Sequence, residues 1–97
     1  TTGNTHSLTT TAGQRVIVFG KGNLNPGGGA TGSTATLAYN SVTKDTISYG
    51  VSGSSSTNRY PFALMYTETP GAATANIEIA TSTGSVENGK IIVIKIG

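Results

Sequence analysis

The sequence predicts a single small all-β fold, an antiparallel β-sandwich of the jelly-roll-like or Ig-like kind. Three observations predict it. No segment repeats apolar residues at helical spacing, whereas apolar and polar residues alternate along most of the chain. Gly, Pro, Ser and Asn clusters interrupt the alternation after roughly every ten residues, as in sandwiches and barrels. The 97 residues suffice for one domain.

The strands are expected at 5–10, 14–24, 34–40, 44–51, 59–68, 74–81 and 86–96. In 34–40, Ala35, Leu37 and Tyr39 share one face. In 44–51, Ile47, Tyr49 and Val51 alternate with Thr46, Ser48 and Gly50. In 74–81, Ala75, Ile77 and Ile79 oppose Asn76 and Glu78. Side chains two apart project to the same face of a strand, so these sets assign Tyr39 and Tyr49 to the core. Phe62 and Tyr66 fall on the inward parity of 59–68. The stretches 25–33 and 52–58, rich in Gly and Ser, read as long loops.

Three strands are apolar on both faces. In 14–24, Val16 and Val18 oppose Ile17 and Phe19. In 59–68, Phe62, Leu64 and Tyr66 oppose Ala63 and Met65. In 86–96, Ile91 and Val93 oppose Ile92, Ile94 and Ile96. Only one face of each can point into a two-sheet core. The other is either incidentally apolar or covered by a neighbouring subunit. Three such strands together favour the subunit, with Ile17, Phe19, Met65, Ile92 and Ile94 at the interface. With no cysteine to cross-link so short a chain, association would also add the core it lacks.

Charge is sparse: 10 % of residues, against about 25 % in ordinary domains. The six cations are dispersed, so the patch a nucleic-acid binder uses on phosphates is missing from the sequence, and no nucleic-acid partner is expected. No apolar run approaches the roughly 18 residues of a spanning helix, so no membrane insertion is expected. The chain opens at Thr1, which reads as a piece of a longer protein.

The residues argue against an enzyme. Asp45, Glu68, Glu78 and Glu87 are spaced as strand-end and outward-facing carboxylates, not as a pair set across a sugar ring. His6 is the sole histidine and has no cysteine or second histidine beside it, so neither metal nor other cofactor is expected. The serines lack a Gly-x-Ser-x-Gly elbow. Gly27-Gly-Gly29 is followed by Ala30-Thr31-Gly32-Ser33, without the lysine or helix a phosphate loop needs.

Recognition residues are better represented. Tyr60 follows Asn58 and Arg59 and precedes Pro61, which holds it extended. Such residue types are favoured on binding loops. Two readings stand side by side: Tyr60 stacks on a ligand with Asn58 and Arg59 hydrogen-bonding to it, or Tyr60 covers the sandwich end.

The order of segments carries a resemblance. Thr11-Ala-Gly-Gln-Arg-Val-Ile-Val-Phe-Gly-Lys-Gly22 precedes an alternating strand and the turn Asn40-Ser-Val-Thr-Lys44. Arg59-Tyr-Pro-Phe-Ala-Leu-Met-Tyr66 follows, and Gly89-Lys-Ile-Ile-Val-Ile-Lys-Ile96 closes the chain. This order resembles the C-terminal β-sandwich tips of bacteriophage tail fibres and receptor-binding proteins. The resemblance implies a homotrimer on an extracellular virion part that attaches to a bacterial surface glycan or outer-membrane protein. It implies that 1–97 is one tip domain at the end of a longer fibre protein. Asn25, Asn58, Arg59 and Tyr60, chosen by residue type and loop position and not carried over from the family, are the candidate receptor-binding residues. A capsid decoration protein and a carbohydrate-binding module of a secreted bacterial protein are the alternatives. With seven antiparallel strands, loops 25–33, 52–58 and 82–85 share one end and loops 11–13, 41–43 and 69–73 the other. The N-terminus then shares the long-loop end, where a shaft would also enter.

Overall fold

The computed structural model describes residues 4–26, 32–50 and 59–97. They form seven strands: β1 (Thr5–Thr10), β2 (Arg15–Asn25), β3 (Ser33–Tyr39), β4 (Val42–Tyr49), β5 (Tyr60–Glu68), β6 (Ala73–Thr81) and β7 (Ser85–Ile96). All pairings are antiparallel. One sheet has the order β1-β6-β3-β4 and the other β5-β2-β7. The fold is the small β-sandwich the alternation predicts. Its pairings nest, β3 with β4 inside β2 with β5 inside β1 with β6. That is a long hairpin folded over on itself, the jelly-roll-like rather than the Ig-like way of connecting two sheets. β7 is added on the free side of β2.

The core follows parity. Val16, Val18 and Leu24 of β2, Leu37 of β3, Ile77 of β6 and Ile91 of β7 are wholly buried between the sheets. Burial of side chains this size stabilises by about 1.5–3 kcal/mol each before entropy is subtracted. Tyr39, Phe62 and Tyr66 join them, and Tyr49 packs at the margin. Gly20 lies at the midpoint of β2, where a Cβ would come within 2.9 Å of Leu37 Cδ1 and 3.2 Å of Ile79 Cγ1. A glycine there lets side chains of the opposite sheet reach the backbone of β2. The Tyr39 and Tyr66 rings meet edge to face at 6.1 Å. Their hydroxyls are buried, with no hydrogen-bond partner among the described residues. Burial raises both phenols above their ordinary pKa, with Glu68 adding to the effect.

Local chemistry fixes the ends. Asn40 and Ser41 make a two-residue turn with φ of 48° and 67°, the left-handed pair that a tight hairpin needs. β4 therefore begins at Val42, two residues before the alternation would start it. Lys44 is an extra residue in β4 between the Leu37–Asp45 and Ala38–Thr43 pairs. It reaches Glu68 at 2.8 Å. Asp45 beside it accepts the Met65 backbone N–H at 3.0 Å and the Thr46 N–H at 2.9 Å. A carboxylate thus occupies a donor on the free edge of β5, one way a sheet edge is protected.

The antiparallel path places the connections after β2, β4 and β6 at one end and those after β1, β3 and β5 at the other. Ser33, Thr34, Ser82 and Thr83 hydrogen-bond together at the first end. Thr10 with Gly71 and Gln14 with Gly97 do so at the second. β1 begins at the first end.

Candidate functional site

The outer face of the β5-β2-β7 sheet reads as rows across the ladder, of which Asn25 opposite Ser85 is the last at the first end. Toward the second end, Arg15 pairs with Ile96. Next come Thr67, Ile17 and Ile94, then Met65, Phe19 and Ile92. Toward the first end follow Ala63, Lys21 and Lys90, then Pro61, Asn23 and Glu87. Directly opposed residues share a face. The five residues expected at a subunit interface, Ile17, Phe19, Met65, Ile92 and Ile94, are therefore neighbours on one surface. Met65 is 53 % exposed, Ile92 38 %, Ile94 46 % and Ile96 51 %. The fold leaves this half of the face apolar and uncovered by the described chain.

The other half is polar. Glu87 is its hub: Oε1 accepts Arg59 Nε–H at 2.8 Å and Oε2 accepts Asn25 Nδ2–H at 3.0 Å. Arg59 precedes β5, Asn25 ends β2 and Glu87 lies in β7, so one carboxylate ties all three strands together. These two hydrogen bonds, the Arg59 bond the larger, hold the Glu87 carboxyl below its ordinary pKa. Asn25 and Arg59 are thus brought together as candidate contacts. Asn58 lies outside the described residues. Tyr60 does not join the outer cluster. Its parity turns it inward, where it packs against the core and sits 5.4 Å from the Tyr49 ring. The Tyr49 hydroxyl donates to the Pro61 carbonyl. Of the two readings of Tyr60, this geometry is that of the ring covering the sandwich end.

A bulge shapes the polar half. Gly22 faces two residues of β7, Asn88 and Gly89, because the register moves from Lys21–Lys90 to Asn23–Glu87. Asn88 takes φ 56°. Asparagine is among the few residues that adopt this left-handed conformation readily, and an inserted residue re-aims its side chain out of the pleat. A shallow cleft of about 290 Å³ opens there, lined by Lys21, Gly22, Asn23, Pro61, Phe62 and Asn88. Gly22 cannot carry a side chain easily, since a Cβ would lie 3.0 Å from Val86 Cγ1 and 3.2 Å from the Glu87 carbonyl oxygen.

Glu87 and the Lys21–Lys90 row escape a reading by sequence alone. Glu87 looks like a solvated strand-end carboxylate, and its partners are remote in the chain. One signal was present: Asn88-Gly89 inside an apolar strand marks a bulge.

Elsewhere, a groove of about 600 Å³ runs between β1 and β7, lined by His6, Leu8, Ile91, Val93 and Lys95 among others. Lys95 Nζ–H donates to the Thr9 carbonyl across it at 3.3 Å. Burial, with the nearby Lys95 charge, lowers the His6 pKa. Among the described residues no group of three His, Cys, Asp or Glu is placed to hold a metal, and no helix is long and apolar enough to cross a membrane.

Comparison with family models, with curated proteins and with solved structures gave no match.

Proposed function

We propose that this chain is a receptor-recognition domain of a bacteriophage tail-fibre tip and acts as a homotrimer. One observation carries the reading: the outer face of the β5-β2-β7 sheet divides into an apolar half and a hydrogen-bonded polar half. An apolar surface of Ile17, Phe19, Met65, Ile92 and Ile94 suits burial by further copies of the chain. The adjoining polar half, with Asn25, Arg59 and Glu87 held in place by each other, suits a ligand that forms hydrogen bonds. The residue order resembling fibre tips supports the phage setting and supplies the trimer.

The placement of the polar half also eases the crowding expected at the long-loop end. β1 begins at that end but belongs to the other sheet. A segment leading into β1 therefore need not cross the outer face of β5-β2-β7.

Two measurements test the reading. Light scattering of the purified domain at micromolar concentration is expected to give three times the chain mass; a monomer removes the interface. Fluorescently labelled domain is expected to decorate susceptible bacteria, and receptor-deficient resistant strains are expected to lose the label. Absence of binding to every susceptible host sinks receptor recognition.

A further inference from the structure

We infer that Lys21, Lys90 and the cleft at the Asn88 bulge form a binding site for a carboxylate-bearing sugar of an acidic surface polysaccharide. This deepens the recognition reading and rests on it.

The first argument is an uncompensated charge. Lys21 and Lys90 are directly opposed on an exposed sheet face. Like charges in that relation destabilise a sheet. Among the described residues no carboxylate forms an ion pair with either lysine. Glu68 pairs with Lys44 and Glu87 with Arg59. Asp45 receives the Met65 and Thr46 amides. Glu78, opposite Thr5 of β1, lies in the other sheet. A fold that places two cations side by side and leaves them without an acid has room for an external anion.

The second argument is shape. The cleft is lined by Lys21, Gly22, Asn23, Pro61, Phe62 and Asn88, and Lys90 stands outside this lining, opposite Lys21. At about 290 Å³ it suits a single ring rather than a long peptide. Amide side chains offer both donors and acceptors, which matches sugar hydroxyls. Pro61 offers an apolar wall. Two lysines provide charge-assisted bonds to one carboxylate. They do not form the extended cationic track a nucleic-acid backbone requires. Glu87 borders the site, but its ion pair is with Arg59 and its second oxygen accepts from Asn25, and among the described residues it forms no ion pair with either lysine.

The test uses the intact domain and three uronate polymers, polygalacturonate, alginate and hyaluronan, against neutral dextran and methyl-esterified polygalacturonate. Calorimetric titration is expected to detect at least one uronate polymer, with affinity falling as salt rises, and neither neutral polymer. Lys21→Gln and Lys90→Gln are each expected to weaken the bound polymer about tenfold. Both variants are expected to melt no lower than the parent, because each removes a like-charge opposition. Binding to none of the uronates, equal binding to the esterified form, or unchanged affinity in both variants overturns the site. A lowered melting temperature with unchanged affinity assigns the lysines a structural role and overturns it too. Bacterial adsorption separates this inference from the reading beneath it. Adsorption by the parent that survives in the Lys21→Gln, Lys90→Gln double variant leaves recognition standing and removes the anion site. No adsorption by the parent removes recognition itself.

Discussion

The two outer faces of the sandwich differ more than its two sheets do. On the four-stranded sheet the outer positions are Thr5, Ser7 and Thr9 of β1, Thr74, Asn76, Glu78 and Ala80 of β6, Thr34, Thr36 and Ala38 of β3, and Thr43, Thr46 and Ser48 of β4. Two of the threonine hydroxyls bond across the strands, Thr9 Oγ1 with Thr74 Oγ1 at 3.3 Å and Thr36 Oγ1 with the Ala80 carbonyl at 3.5 Å. On the three-stranded sheet the corresponding positions hold Ile17, Phe19, Met65, Ile92 and Ile94, then Lys21, Asn23, Lys90 and Glu87. Both faces lie on the same core and use the same pleat. A sandwich needs only its inner faces to be apolar, so the contrast is not required by folding. It is the ground on which we propose the three-stranded sheet as the side that meets other molecules.

The strongest way to break this contrast is a charge in the apolar half. Ile92→Lys is expected to weaken self-association about a hundredfold, read as loss of the oligomer by light scattering with the circular dichroism of the folded sheet retained. Thr36→Lys on the opposite outer face is the control, expected to leave the mass unchanged. Equal effects of both would erase the distinction between the faces.

A second test targets what the faces share. Gly20→Val inserts branched carbons between β2 and the Leu37 and Ile79 side chains. It is expected to cost about 2 kcal/mol in chemical denaturation, the range of core overpacking. A smaller gain is expected at the hairpin of the four-stranded sheet. Ser41 holds φ 67°, and Ser41→Gly relieves that strain by about 1 kcal/mol, visible as a raised denaturation midpoint.

The gentlest change sharpens the polar half by pH. The folded Glu87 carboxyl lies below its ordinary value of 4.5 because Arg59 and then Asn25 bond to its charged form. A depressed carboxyl contributes stability that is fully present above its unfolded pKa and is lost as the pH falls through the folded pKa. Between those two values the parent is expected to lose slightly more stability on acidification than Glu87→Gln does, measured as the difference between their melting curves. Identical pH profiles would show that the clamp adds nothing in solution.

Most of the strand plan was legible because parity is local. Leu37 and Tyr39, or Ile77 and Ile79, carry their face assignment in their own spacing. The doubly apolar strands were legible for the same reason, since Ile17 against Val18 or Ile92 against Ile91 is visible without a partner. The start of β4 was missed by two residues because Ser41 is not a residue type that announces a left-handed turn. The direction of the Tyr60 ring was less legible: Asn58, Arg59 and Pro61 suggested a loop tip, while its inward parity with Phe62 set the ring on Tyr49.

The sequence by itself determined the antiparallel sandwich, the identity of the core and the existence of a second apolar face, because each depends on side chains two residues apart. Only the tertiary structure decided the nested strand order and the register. Register placed Ile17, Phe19, Met65, Ile92 and Ile94 in adjoining rows, set Lys21 opposite Lys90 and gave Glu87 to both Arg59 and Asn25. Those neighbours are joined through ladders between segments distant in the chain, and a one-residue slip in any ladder would send them to opposite faces.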